Sequence, residues 1–148
     1  MTAVENAARA PLLLLDMHTL IWSINEGPKL GSTARESIRI AGDESRVLVS
    51  AITPWEIALL VSKGRLTLDV DVMDWVRGML TVPGVRLVPL EPEIAVESTR
   101  LPFEMYPDLA DRMLVATARH LTATLVTADK ALLAMAGKGH FRGMDAGA

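Results

Sequence analysis

Asp16, Glu56, Asp111 and Asp129 stand beside apolar runs at helix-start signals, in LLLLD, TPWEI, PDLADR and LVTAD. Carboxylates gathered from distant parts of a chain repel one another unless a cation lies between them. A donor set of oxygens, without Cys or clustered His, favours Mg²⁺ or Mn²⁺ over Zn²⁺. The chemistry open to such a set is metal-assisted hydrolysis, in which the ion lowers the pKa of a water and offsets charge on phosphoryl oxygens. Each acid also has an ordinary structural explanation. Glu56 lies three residues after Thr53 and Asp111 three after Asp108, the capping-box spacing, while Asp16 and Asp129 directly precede helical patterns as N-caps would. The two explanations are compatible, because a helix N-terminus can steady one oxygen of a carboxylate and leave the other for a cation.

The elements that must position these acids follow from the apolar pattern. Leu12–Leu15 and Val47–Val49 are continuous apolar runs, suited to central parallel strands covered on both faces. Val85–Leu90 and Thr124–Thr127 read as further strands, and Phe141–Met144 as a short edge strand. Helices are expected over His18–Asn25, from a Ser32 or Thr33 cap to Ile40, from a Thr53 cap to Gly64, from an Asp71 cap to Leu80, and from Pro92 to Thr99. The longest helical pattern begins at Pro107-Asp108, and another runs from Lys130 to Ala136. Strands alternating with helices predict an α/β fold with a central, mainly parallel sheet. In such sheets ligands bind outside the carboxyl ends of the strands. Asp16 and Asp129 would lie at two of those ends, with Glu56 and Asp111 in first helical turns on the same edge.

Several bulk properties narrow the function. The 148 residues fit one domain, residues 11–148, with half of the chain apolar and no linker or repeat. Residues 1–10 carry Glu5 and Arg9 without an apolar core, so they read as a poorly ordered extension rather than a secretory signal. No cysteine is present, which excludes disulfides, thiolate ligands and a cysteine nucleophile, and a cytoplasmic chain is the simple reading. No apolar run is long enough to span a membrane. The net charge of −3 disfavours a nucleic-acid grip built on charge alone, although a bound divalent ion reverses the local sign.

The segments LLLLDMHTLIW, VSAITPWEIALLVSKGRLTL, PGVRLVPLEPEIA and DLADRMLVATARHLTATLVTADKALL resemble the PIN-domain ribonucleases, and within them the VapC-type toxins of bacterial toxin–antitoxin pairs. The resemblance runs from about Leu12 to Leu133, with its blocks in order. It implies a three-layer α/β/α domain and an Mg²⁺- or Mn²⁺-dependent endoribonuclease. The family's acidic positions fall on Asp16, Glu56, Asp111 and Asp129. It further implies an RNA substrate, a cognate antitoxin that carries the DNA-binding part, and a homodimer, with no direct DNA binding expected of this chain alone. Two positions depart from the family pattern. Met17 replaces the Thr of D-T-H, and Tyr106-Pro107-Asp108-Leu109 replaces H-x-D-P. Neither is a carried-over ligand, so both bear on specificity more than on activity.

Among the acids, Asp16 and Asp111 are the first choices for ligation, with Glu56 and Asp129 completing the site. Asp108 reads as the N-cap of the long helix. Thr127 either hydrogen-bonds an acid or scissile phosphate, or satisfies backbone at a strand end. Arg112 either contacts phosphate or pairs with neighbouring acids, the second being the commoner role. His18 fits a supporting or packing role better than that of a general base. Lys63, Arg65, Arg119 and Lys130 are solvated surface charges by default, and Trp22, Trp55 and Trp75 fall on apolar helical faces suited to packing. Two other functions compete. A phosphoacceptor or phosphatase would use one Asp as nucleophile with a Lys nearby, for which Asp129-Lys130 is a weak match. A non-catalytic binding module would use the acids only as caps.

Overall fold

The Leu12–Leu15 run becomes the middle of a sheet. Leu13 and Leu15 pack into one layer of helices and Leu14 into the other, all three shut off from solvent. That double burial is why the strand is apolar at every position rather than at alternate ones. The computed structural model describes residues 9–105 and 108–148. Its elements are β1 (Leu13–Leu15), α1 (Met17–Ile24), α2 (Ser32–Asp43), β2 (Val47–Ser50), α3 (Ile52–Ser62) and α4 (Val72–Leu80), followed by β3 (Val85–Val88), α5 (Pro92–Glu97), α6 (Leu109–Leu121), β4 (Thr124–Thr127), α7 (Lys130–Gly137) and β5 (Arg142–Asp145).

The five strands are all parallel, in the order β3-β2-β1-β4-β5. Leu15 is in register with Val49 on one side and with Val126 on the other. The chain leaves β1 toward β2 and β3, then returns across it to build β4 and β5. The topological switch point therefore falls between β1 and β4, where crossovers diverge and leave a crevice at the carboxyl edge. One face is covered by Leu20, Ala34, Val76 and Met79 from α1, α2 and α4. Leu114, Val115 and Leu132 from α6 and α7 cover the other. The result is a three-layer α/β/α sandwich.

Four local differences from the sequence expectations appear, and the first three have physical causes. Helix α2 begins at Ser32 behind Gly31, and no side chain caps it. The Thr33 and Ala34 N–H groups donate instead to the Ala148 carbonyl, at 3.1 and 3.2 Å, so a remote segment does the work of the expected side-chain cap. A Cβ at Gly31 would collide with the Ala148 backbone, so glycine is what permits this approach. Helix α3 starts at Ile52, where the Ser50 hydroxyl accepts from the Ile52 N–H (3.1 Å). Thr53 thus lies inside the helix, and its buried hydroxyl has no hydrogen-bond partner among the described residues. Strand β3 stops at Val88, ahead of Pro89, which has no N–H to extend the ladder. The edge strand near the end of the chain runs Arg142–Asp145, one residue later than read.

Ala10, which the sequence reading puts in the extension, is buried. Its N–H donates to the Glu44 carboxylate at 3.1 Å and its carbonyl accepts from Arg46 Nε. The expectation for residues 1–8, and the part played by Tyr106 and Pro107 ahead of α6, lie outside the described residues. Among the described residues no helix is long and apolar enough to cross a membrane.

Candidate metal centre

Asp16 follows β1 at the switch point. Its Oδ1 accepts from the Thr19 N–H (2.9 Å), capping α1, and its Oδ2 accepts from the Thr127 hydroxyl (2.6 Å). Thr127 is wholly buried at the end of β4, and its Oγ1 also accepts from the Asp129 N–H at 3.1 Å. One hydroxyl thus ties together the two acids at neighbouring strand ends. Thr19 adds a brace, donating its own hydroxyl to the Val126 carbonyl (3.0 Å). Thr127 fills both roles open to it in the sequence, donating to an acid and accepting from backbone at the strand end.

Asp129 caps α7, its Oδ1 accepting from Ala131 N–H (2.8 Å) and Leu132 N–H (3.1 Å). Asp108 caps α6 by accepting from the Asp111 N–H at 2.9 Å, which fixes Asp111 in the first turn. Three of the acids are therefore N-caps, as their spacing predicts. Glu56 is different. Because α3 starts before Thr53, Glu56 sits past the first turn and holds no capping-box bond of the kind its spacing suggested.

Asp16, Glu56, Asp108, Asp111 and Asp129 line one cleft of about 420 Å³ at the carboxyl edge of the sheet. Within this cleft the carboxyl of Glu56 is pushed up to about 7. Burial is the main cause, followed by the charges of Asp111, Asp108 and Asp16. Among the described residues no three acidic or imidazole side chains are gathered tightly enough to cage an ion. The arrangement is an open acidic bowl of hard oxygen donors. That chemistry suits a cation that keeps several of its own waters and takes only a few protein oxygens, as Mg²⁺ and Mn²⁺ do.

The remaining predicted residues divide. His18 lines the cleft as an exposed ring tilted against Trp22, with centroids 6.0 Å apart. Among the described residues Arg112 makes no ion pair with the acids. It donates from Nη2 to the Met105 carbonyl (2.8 Å), bracing the chain before α6, and borders a separate hollow with Phe103 and Glu104. This contact is with backbone rather than with a neighbouring acid. Arg119 is also remote, donating to the His140 carbonyl at the far end of α6. The cleft further includes Lys29 and Trp22, which sequence reasoning did not place there. The spacing of His18 and Trp22, four apart on the helix that Asp16 opens, is the signal that places Trp22 on the same face. Lys29 carries no such signal.

The comparisons agree with this architecture. The PIN domain family model matches residues 13–138. The chain is 32% identical to Ribonuclease VapC22 of Mycobacterium tuberculosis (strain ATCC 25618 / H37Rv) over 120 residues, 81% of this chain and 88% of that protein. Among solved structures, VapBC2 from Rickettsia felis bound to a DNA fragment from their promoter superposes with a TM-score of 0.65 at 15% identity. That match covers 90% of this chain and 97% of the other. DNA-bound VapBC from Salmonella typhimurium gives a TM-score of 0.62 at 18% identity, covering 90% and 96%. At these identities the solved structures speak for the fold alone.

Proposed function

This chain belongs to the PIN-domain family, and on that premise we propose that it is a metal-dependent endoribonuclease toxin held in check by a cognate antitoxin. The observation that carries the reading is the convergence of acids from the end of β1, from α3, α6 and the start of α7 on one cleft, with the Glu56 carboxyl pushed up to about 7 by burial and then by the charges of its neighbours. An acid bowl of this kind is electrostatically incomplete without a cation. The relative named a ribonuclease supports RNA as the substrate, and the DNA-bound VapBC assemblies support a partner that supplies the DNA-binding part. The proposed setting is the cytoplasm, as a homodimer that does not bind DNA without its antitoxin. The ion is Mg²⁺ or Mn²⁺.

Asp16 and Asp111 are the proposed principal ligands, with Glu56 and Asp129 completing the set. A bound divalent ion supplies water activation and charge stabilisation at the phosphoryl group. The chain's own part is orientation. Thr19 and Thr127 hold the Asp16 carboxylate against rotation, and the first turns of α6 and α7 hold Asp111 and Asp129. Glu56 adds a half-buried charge that a cation would offset. Net hydrolysis adds water across one P–O bond, leaving a phosphomonoester and an alcohol.

The test is cleavage of a mixed RNA pool in Mg²⁺, Mn²⁺ or EDTA by the wild type, Asp16→Asn and Asp111→Asn. Cutting that requires the metal and is lost in both variants is expected. Metal-dependent cutting that survives both would remove the site assignment. No cutting by folded, metal-loaded wild type would count against the ribonuclease reading itself.

A further inference from the structure

A cleft lined by five carboxylates must admit a polyanion if the ribonuclease reading, on which this inference rests, is right. Apart from His18, the one basic side chain among the described residues lining the cleft is Lys29. Its Nζ lies 5.9 Å from the centre of the Trp22 ring, and among the described residues it makes no ion pair. Trp22 is half-buried, packing against the core while it lines the cleft. It sits six residues after Asp16, roughly 9 Å along α1.

The segment carrying Lys29 is braced. The Gly27 N–H donates to the Trp22 carbonyl (2.9 Å), which binds the turn to the end of α1. Arg35 Nη2 donates to the Gly27 and Leu30 carbonyls at 3.1 and 3.2 Å. The Gly31 N–H donates to the Ala146 carbonyl (2.8 Å), tying the same segment to the end of the sheet. An exposed lysine on an exposed turn is ordinarily a solvated charge with free rotamers. Here its backbone is pinned from α1, from α2 and from the segment after β5, and its ammonium rests over an indole.

We propose that Trp22 and Lys29 form the substrate shelf of the cleft, with the indole stacking on an unpaired nucleobase and the ammonium holding a phosphate of the strand next to the one cleaved. An indole face accepts any base by stacking, and a lysine is a point charge suited to phosphate. The stacking contact favours single-stranded RNA, since a base inside a duplex has both faces covered by its stacked neighbours. The shelf also places positive charge where the strand enters and leaves the acid bowl to the cation.

The experiment is fluorescence anisotropy of a labelled twelve-nucleotide mixed-sequence RNA, single-stranded or annealed to its complement, in Ca²⁺, with strand integrity checked on a gel. Wild type is compared with Trp22→Ala, Trp22→Phe, Lys29→Ala and Lys29→Arg, and Mn²⁺ affinity is measured for each. Trp22→Ala should weaken single-strand binding about 5- to 100-fold while Trp22→Phe keeps most of it. Lys29→Ala should lower the slope of log K against log salt by about 0.7, and Lys29→Arg should restore it. Mn²⁺ affinity should not fall in any variant. Wild type that cuts RNA, with both alanine variants binding it as tightly and with the same salt slope, would overturn the shelf and leave the nuclease reading intact. Wild type that neither binds nor cuts RNA would overturn both.

Discussion

Asp16, at the start of α1, and Glu56, past the first turn of α3, face the same cleft but are held in opposite ways. Both oxygens of Asp16 accept hydrogen bonds, one from a helix N-terminus and one from a buried hydroxyl. Its orientation is fixed before any ligand arrives. Glu56 has no capping role, is largely removed from water, and lies in the field of three other acids. Its charge is destabilised until a cation arrives. The first kind of acid sets the geometry of the site, while the second makes the site demand an ion.

The sharpest way to break that contrast is Asp16→Ala. It removes a proposed ligand and leaves the Thr127 hydroxyl without its acceptor. Metal-dependent RNA cleavage, followed as kcat/KM, should fall by at least about 100-fold, beyond what loss of a supporting contact alone causes. Denaturant unfolding should show a loss of about 1 kcal/mol from the cap. Thr127→Val tests the brace without touching an acid. Calorimetric Mn²⁺ titration should show affinity about 10- to 100-fold lower, the range for groups that orient a ligand.

Asp129→Asn separates capping from charge. Asn caps a helix about as well as Asp, so thermal or denaturant unfolding should move by no more than about a few tenths of a kcal/mol. Mn²⁺ affinity should nevertheless drop severalfold, whereas a pure cap would leave it unchanged.

The remaining effect is read in pH. The carboxyl of Glu56 ionises near 7 in the folded, metal-free chain against an ordinary value of 4.5. As pH rises between these values the unfolded chain releases this proton first, so the folded state holds more protons. Glu56 therefore makes the metal-free protein lose stability across that window and level off above it. Unfolding curves at stepped pH in EDTA should show this fall, and Glu56→Gln should flatten it. At pH 7 Mn²⁺ binding should release roughly half a proton from wild type, seen as buffer-dependent heat, and less from Glu56→Gln.

The same contrast marks what could be read from the sequence. Asp16, Asp71, Asp108 and Asp129 precede their helices directly, and all four cap them. The double-faced burial of Leu13–Leu15 was equally legible, because a continuous apolar run leaves few other solutions. The start of α3 was not, because the Ser50 hydroxyl and the end of β2 set it, displacing the Thr53 cap that local spacing favoured. Nor was the start of α2, whose N–H groups find the Ala148 carbonyl across the fold. The contact made by Arg112 was hidden for a related reason. Its partner is a backbone carbonyl of the preceding loop, and sequence spacing shows carboxylates but not where a loop turns its carbonyls. Local chemistry announced the acids that cap, whereas the special character of Glu56 depended on long-range packing.

The most direct test of a single cation site assembled from both kinds of acid is Mn²⁺ uptake by metal-stripped protein, followed by electron paramagnetic resonance. Wild type should bind Mn²⁺ saturably, and Asp16→Asn, Asp111→Asn and Glu56→Gln should each bind it at least about tenfold more weakly. Wild type that takes up no Mn²⁺, or three variants that bind it as wild type does, would contradict the account.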